Sequence, residues 1–140
     1  MKRIIIWMGF VLVIIFICIQ FYPVEYTNPP VTDEIKAPEE VLSVLRNSCY
    51  DCHSNETRWP WYNRIVPASW LIMYDVTNGR ANMNFSEWDI FEMIESDMKT
   101  LIIGAVTSGV MPPFIYKLGH PNAKLSNEDI AVLAEWAETK

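Results

Sequence analysis

The stretch Cys49-Tyr50-Asp51-Cys52-His53 decides what kind of domain this chain forms. Its C-x-x-C-H spacing is the attachment signature of a c-type haem, in which both cysteine sulfurs form thioether bonds to the porphyrin. The histidine that follows the second cysteine is then close enough to become an iron ligand. The motif therefore predicts one haem c that is held covalently by Cys49 and Cys52 and whose iron is bound by His53.

Two other interpretations of the same motif use no haem. A thioredoxin-like dithiol would follow a strand and open a helix within a βαβ unit, and no such strand is visible before Cys49. A zinc site needs two further ligands. The remaining cysteine, Cys18, lies in an apolar run, and the only other histidine is His120. The pattern favours haem over both alternatives.

The N-terminus is a run of residues that can span a membrane. Lys2 and Arg3 precede an uncharged and mostly apolar stretch from Ile4 to Tyr22, and a helix of that length crosses a bilayer core. Acidic residues follow the run, so the positive-inside rule predicts a cytoplasmic N-terminus. The residues at the end of the run are too bulky for a signal-peptidase site, so we predict an uncleaved signal anchor over residues 1–22.

The charge of the chain limits its partners. It contains 17 acidic and 11 basic residues, and two of the basic residues, Lys2 and Arg3, precede the apolar run of the anchor. This balance excludes nucleic acid as a partner and argues against a second contact with anionic lipid. A redox partner protein of basic or mixed charge is compatible with it. We expect a single-pass protein of the bacterial inner membrane, whose C-terminal domain lies on the periplasmic or extracytoplasmic side, where covalent haem attachment takes place.

The rest of the chain divides into a tether and one helical domain. Residues 23–37 are rich in proline and show no hydrophobic period, which predicts an extended tether. Residues 38–140 are enough for one small domain whose core would include the haem.

Helical periodicity and capping signals predict four helices in this domain. Pro38 fits the first position of the helix that leads to Cys49. Ser86 is the expected N-cap of the second helix, Gly109 the stop of the third, and Ser126 the N-cap of the last. The region between the first two helices is rich in Trp, Pro, Asn and Gly, and we expect a loop there. The expected ranges are 38–49 and 98–108 for two of the helices, and 68–74 for one short helix inside the loop.

The ligand opposite His53 decides whether the iron carries electrons or binds small molecules. Met111 precedes two prolines that stiffen the backbone, a setting that presents a thioether sulfur rigidly to a metal. We predict Met111 as the sixth ligand. Met73, Met83, His120 and an open position are the alternatives. Met93 and Met98 belong to helical stretches where core packing is expected, and gap filling in the core is also the non-functional interpretation of Met111.

Several motifs of the domain resemble those of a known family. The order of C-x-x-C-H after a first helix and Met-Pro before a closing helix is similar to that of small class I-type cytochromes c. More closely, the chain resembles the bacterial haem-binding domain family over nearly all of residues 38–137. The motifs that carry this resemblance are Cys49-Tyr50-Asp51-Cys52-His53-Ser54-Asn55-Glu56-Thr57, Trp59-Pro60-Trp61-Tyr62, Ile65-Val66-Pro67-Ala68-Ser69-Trp70, Gly79-Arg80, Asn84-Phe85-Ser86-x-Trp88 and Met111-Pro112-Pro113.

The resemblance implies a fold and a set of site residues. The fold class is all-α, with a small cytochrome c-like helical domain around one covalent haem, preceded by one transmembrane helix. Cys49 and Cys52 are implied as the attachment residues, His53 as the proximal iron ligand and Met111 as the distal ligand.

The residues around the expected haem suggest further contacts. Aromatic side chains could wall the haem edge or donate hydrogen bonds to its propionates, with Arg58 or Arg64 as counter-charges. A backbone carbonyl near Pro60 or Pro67 is expected to accept a hydrogen bond from the second imidazole nitrogen of His53. His120 is expected in a solvent-exposed turn. The aromatic candidates are Trp59, Trp61, Tyr62 and Trp70.

We expect a membrane-anchored monohaem c-type cytochrome that carries electrons, because rigid His/Met ligation suits electron transfer and raises the reduction potential. The alternative is a haem-based sensor or a peroxidase-like enzyme with a displaceable sixth ligand. A catalytic distal site normally contains a His, Arg or Glu acid/base, and no such residue is clearly placed in the sequence. An electron carrier is therefore favoured over an enzyme.

Overall fold

The computed structural model describes residues 1–22, 24–94 and 97–139, without the side chains of 92–94. Pro23 of the expected tether and the Met93 side chain lie outside these residues. The described part is all-helical, as predicted, and its only bridge pairs Asp33 with Glu87. The α-helices are α1 (Lys2–Ile19), α2 (Glu39–Ser48), α3 (Tyr50–His53), α4 (Ala68–Asn82), α5 (Trp88–Ile94), α6 (Met98–Thr107), α7 (Phe114–Gly119) and α8 (Asn127–Glu138), with 3₁₀ turns at Trp61–Arg64 and Pro121–Ala123.

Helix α1 is long and apolar enough to cross a membrane, and none of its residues is buried against the rest of the protein. Its last turn continues into Gln20, whose side-chain amide donates hydrogen bonds to the Phe16 and Val66 carbonyls. The Val66 amide donates in return to the Gln20 side-chain oxygen. The end of α1 is therefore attached to the helical domain directly.

Helix α2 leads directly into the C-x-x-C-H motif. Its buried residues Val41, Val44 and Leu45 lie on one face, as the periodicity predicts. Pro38 is the residue before the helix rather than its first member. The Cys49 amide donates to the Leu45 carbonyl, and α3 begins at the next residue. The packing of α2 in the core thus fixes the position of the first cysteine.

Helix α8 closes the core by packing on α2 and α6. Ser126 and Asp129 form the predicted capping box at its start, and Leu133 and Trp136 are buried against the other two helices. The predicted stop of α6 is also confirmed, because Gly109 has a φ of 75°, a value that favours glycine.

The region between His53 and Phe85 is more helical than predicted. Helix α4 has 15 residues and continues to Asn82, well past the expected end at residue 74. Few residues of α4 are buried, so its sequence mixes apolar and polar residues without a clear helical period. The periodicity therefore did not predict its full length. Helix α7 was not predicted, since six residues are too short for a clear period.

The predicted N-cap role of Ser86 is wrong. Helix α5 begins at Trp88, and the Ser86 side chain is fully buried, where its hydroxyl accepts a hydrogen bond from the Asn55 amide. A tertiary contact to the segment after His53 therefore takes the place of the local capping interaction.

The segment 24–37 is extended, but it is not a free spacer. Ile35 is buried in the core and its amide donates to the Phe85 carbonyl. Tyr26 donates through its hydroxyl to the Asn63 carbonyl, and Asn28 donates to the Thr57 carbonyl. These hydrogen bonds and the burial of Ile35 hold the segment along the domain.

Helix α4 crosses α3 at a glycine. A Cβ atom built on Gly79 would lie 2.9 Å from the carbonyl carbon of Cys52 and 3.1 Å from the Cys52 Cβ. Backbone atoms cannot move aside as a flexible side chain can, so the helices approach this closely only because residue 79 has no side chain.

We expect Gly79→Ala to push α4 away from α3 and to lower the free energy of unfolding by about 1–3 kcal/mol, the usual effect of overpacking. The bound haem measured per chain should fall with it. Gly104→Ala is the matched control, because no atom lies within 4 Å of a Cβ at Gly104 in the middle of α6. There the higher helix propensity of alanine should stabilise the domain by about 0.5–1 kcal/mol. Equal effects of the two substitutions, measured by urea unfolding, would contradict this role of Gly79.

Candidate functional site

A cavity of about 430 Å³ lies between α3, α4 and α6 and the segment that follows α6. This volume falls in the range of small-molecule and cofactor sites. The four residues predicted from the sequence all line it: Cys49, Cys52, His53 and Met111. Most of the remaining wall is apolar and includes Phe85, Met98, Leu101, Ile102, Val106 and Pro112.

A hydrogen bond fixes His53 in the tautomer whose second ring nitrogen carries no proton. Its Nδ1 lies 3.1 Å from the Met83 carbonyl oxygen, which can only accept, so Nδ1 donates its proton there. Nε2 is then unprotonated and available as a metal ligand. Burial lowers the pKa of His53, although the backbone hydrogen bonds oppose this shift, and keeps the ring in the neutral form that binds metals.

The predicted partner of the His53 imidazole, a carbonyl near Pro60 or Pro67, is wrong. The actual partner is Met83, the residue at which α4 ends. The expectation placed this region in a loop, whereas the longer α4 carries the chain back to the histidine.

The two cysteine thiols have the opposite character to a catalytic dithiol. Burial raises the pKa of Cys49 and of Cys52 to about 12, whereas reactive thiols have lowered pKa values in electropositive surroundings. Among the described residues, no group of three or more His, Cys, Asp or Glu side chains is suited to hold a bare metal ion. These residues fit a haem site better than a reactive dithiol.

The candidates for the sixth iron ligand differ in whether they line the larger cavity. Met111 lines the cavity, and its amide donates to the Ala105 carbonyl at the end of α6. Met83 also lines the cavity. Its carbonyl contacts His53, so its backbone lies on the same side of the cavity as His53, whereas the sixth ligand would lie opposite that histidine. Met73 and His120 are not among the residues that line this cavity. Met98 is buried in the core, as expected.

His120 was expected in a solvent-exposed turn, but the structure shows it partly buried. Its ring stacks on the Tyr116 ring, with 4.2 Å between the centroids. Both residues line a second cavity of about 260 Å³, which adjoins the first through Cys52, Asp75 and Tyr116. Asp75 faces both cavities, and burial raises the pKa of its carboxyl group.

Tyr116 connects the segment after Met111 to the C-x-x-C-H motif. Its hydroxyl donates to Asp51 Oδ2 at 2.7 Å, and burial raises the pKa of this phenol, an effect that the bond to Asp51 reinforces. The Arg58 amide and Nε donate to the other oxygen, Asp51 Oδ1, at 3.1 and 3.2 Å. The carboxylate inside the motif therefore holds both the loop that follows it and helix α7.

Arg80 holds several segments of the site together, a role that the sequence did not predict. Its Nε donates to the Ser54 carbonyl at 2.8 Å, and Nη2 donates to the Thr57 hydroxyl at 2.9 Å. Nη1 donates to the Thr27 carbonyl in the segment before α2. One guanidinium thus joins α4, the loop after His53 and segment 24–37, and the Gly79-Arg80 motif was its only signal in the sequence.

The predicted aromatic wall is only partly present. Tyr62 lines the second cavity, and Trp59 packs edge-to-face on Tyr26, with 5.2 Å between the ring centroids. Trp61 and Trp70 are not in the wall of either cavity and are 80% and 42% exposed. Of the two predicted counter-charges, Arg58 lines the second cavity while bonded to Asp51, and Arg64 lies on the surface.

Comparisons with known proteins point to one family. No curated protein and no solved structure matches the chain. The family described as a haem-binding domain matches residues 14–139, which contain the end of α1, segment 24–37, the helical domain and all four predicted site residues.

We expect Tyr116→Phe to lower the free energy of unfolding by about 1–3 kcal/mol, because it leaves one oxygen of the buried Asp51 carboxylate without its donor. Tyr74→Phe is the matched control, since Tyr74 is 68% exposed, and it should change stability by less than about 0.5 kcal/mol. Urea unfolding of both variants checks this. A Tyr116→Phe effect no larger than that of Tyr74→Phe would show that the hydrogen bond does not stabilise the site.

Proposed function

The chain belongs to the haem-binding domain family, and we propose that it is a membrane-anchored monohaem c-type cytochrome that carries electrons on the extracytoplasmic side of the inner membrane. The observation that carries the proposal is the shared cavity, in which two half-buried cysteines and a histidine with an unprotonated Nε2 meet Met111. When bound there, haem iron supplies one-electron oxidation and reduction.

Covalent attachment is proposed from the cysteines. Cys49 follows α2 directly and Cys52 lies in the single turn of α3, so both are fixed by backbone that packs in the core. Their raised thiol pKa values do not fit a redox-active dithiol, which needs a reactive thiolate. Attachment through two thioethers gives both residues a function that agrees with their burial and with the position of His53.

The ligand roles are proposed for His53 and Met111. The hydrogen bond from His53 Nδ1 to the Met83 carbonyl sets the orientation of the imidazole and makes Nε2 a better donor to a metal. Met111 is held at its backbone by Ala105 and is followed by Pro112, which is buried. Two ligands on rigid backbone would move little when the charge of a bound iron changes, and this would favour fast electron transfer.

The apolar wall supports a carrier over the alternative, a sensor or peroxidase-like enzyme. Among the described residues that line the larger cavity, the ionisable side chains besides the three of the motif are Asp75 and Tyr116. Peroxide cleavage normally uses a distal His, Arg or Glu. Among the described residues, no Arg, Glu or second His lines this wall, and its one carboxyl group, Asp75, also faces the second cavity. Low polarity around the iron also raises its reduction potential.

The location follows from α1 and the charges around it. Lys2 and Arg3 precede the helix, so the N-terminus would stay in the cytoplasm and the domain would face the other side of the inner membrane. An electron carrier at that surface needs redox proteins as donor and acceptor, and these partners would meet the protein on the extracytoplasmic side.

The covalent link is tested with the double substitution Cys49→Ser and Cys52→Ser. We expect the wild-type chain, produced in a host that attaches haem c, to keep its haem through denaturing electrophoresis and acid–acetone extraction. The double variant should lose essentially all of it, whereas Cys18→Ser, in the anchor, should keep it. Extractable haem in the wild-type chain would contradict covalent attachment without contradicting haem binding.

The sixth ligand is tested by absorption spectra of the ferric and ferrous protein. Met111→Leu should abolish the weak long-wavelength band of methionine-bound ferric haem and shift the iron towards high spin. The reduction potential should fall by a measurable part of the roughly 0.8 V range that axial ligands span. Met83→Leu keeps the residue's volume and its backbone carbonyl, and should leave the band in place. A wild-type band that survives Met111→Leu would refute this ligand.

A further inference from the structure

The stretch from Trp59 to Tyr74 differs in charge from the rest of the domain. None of the chain's 17 acidic residues lies in it, and Arg64 is its only charged residue. It also contains three of the chain's 6 tryptophans, Trp59, Trp61 and Trp70. An acidic protein thus contains one aromatic, slightly basic surface segment.

Much of this stretch is exposed although it is apolar. Trp61 is 80% exposed and Tyr74 is 68% exposed. Trp70, Leu71 and Tyr74 lie on one side of α4, because residues three and four positions apart share a helix face. We call the exposed residues Trp61, Ile65, Trp70, Leu71 and Tyr74 the aromatic face.

The aromatic face begins at the point where α1 ends. Gln20, the first residue after α1, exchanges two hydrogen bonds of 3.1 and 3.0 Å with the backbone of Val66. The Tyr22 ring packs edge-to-face on Trp70, with 5.9 Å between the centroids. These contacts hold the start of α4 beside the end of the apolar helix, where the surface of a spanned membrane would lie.

We propose that the aromatic face lies in the headgroup region of the membrane that α1 spans, so that the domain rests on the bilayer in one orientation. The proposal rests on the membrane anchoring in the proposed function. Trp and Tyr are enriched at this depth because one end of each ring system is apolar and the other is polar. Arg64 would meet the phosphates of anionic lipids.

This proposal revises the expectation that an acidic domain avoids a second contact with anionic lipid. Net charge is a sum over the whole surface, but contact with a membrane depends on the charges that face it within about a Debye length, roughly 10 Å. The acidic residues at the start of α2 and along α8, Glu39, Glu40, Glu128, Asp129 and Glu135, belong to elements outside the aromatic face. Asp75 follows Tyr74 but faces the two cavities. The exposed Glu25 is the first acidic residue after α1, and Arg64 is the basic residue that would offset it.

A fixed orientation has a consequence for the haem cavity. Leu71 belongs to the aromatic face and also lines the second cavity, which adjoins the larger one at Cys52 and Asp75. The distance between the cavity and the membrane is then set by α4 rather than by a flexible tether. Redox partners would reach the site from the sides that the membrane leaves free.

The test uses the full haem-loaded chain with Cys18→Ser, one copy in each nanodisc of equimolar phosphatidylcholine and phosphatidylglycerol. One new cysteine is introduced at a time, as Tyr74→Cys in the aromatic face, Glu135→Cys on α8 or Leu12→Cys in α1. A charged, membrane-impermeant maleimide labels each variant, and peptide mass spectrometry gives the rate at that site relative to the urea-unfolded chain. A single copy in each disc prevents protection by a second copy.

We expect Tyr74→Cys to react about tenfold more slowly than Glu135→Cys, as for a face that leaves the membrane about a tenth of the time. Leu12→Cys should be protected as well. A Tyr74→Cys rate equal to that of Glu135→Cys, with Leu12→Cys still protected, would overturn the aromatic face and leave the anchor intact. Rapid labelling of Leu12→Cys would instead overturn the anchor, and the aromatic face with it.

Discussion

The close approach of α4 to the backbone of Cys52 at Gly79 is the contact on which the rest of the site depends. A long loop separates α4 from the C-x-x-C-H motif in the sequence, and the absence of a side chain at residue 79 allows α4 to pack on the motif. From there the chain reaches Met83, whose carbonyl orients His53, and places Arg80 against Ser54 and Thr57. A side chain at residue 79 would separate all of these groups from α3 together, because a helix moves as a rigid unit.

The site combines an apolar cavity with a polar frame outside it. The frame runs through Asp51, whose carboxylate accepts hydrogen bonds from Tyr116 and Arg58, and through Arg80. These bonds fix the segments that carry the cysteines, the histidine and Met111, and the charged groups of Asp51, Arg58 and Arg80 lie outside the wall of the larger cavity. Such a division suits a cofactor whose potential depends on a dry, apolar shell, while the shell keeps its shape through hydrogen bonds.

Local sequence signals predicted the elements whose causes are local. The capping box at Ser126, the stop at Gly109 and the buried face of α2 need only neighbouring residues, and the structure has all three. The predictions failed where a distant partner decides the outcome. Ser86 has the sequence of an N-cap, but it is buried and bonds to Asn55. Segment 24–37 has the composition of a free tether, but its backbone pairs with residues of the domain.

The sequence by itself determined the cofactor class, the all-α fold and the four residues that meet in one cavity. C-x-x-C-H predicts haem from residue type and spacing alone, which do not depend on packing. Only the tertiary structure decided which carbonyl holds His53, how far α4 extends, and that Trp61 and Trp70 are exposed, with Trp70 packed on Tyr22 just after α1. These features depend on which surfaces meet after folding. That outcome is set by many weak contacts between residues far apart in the sequence, and no local pattern reveals it.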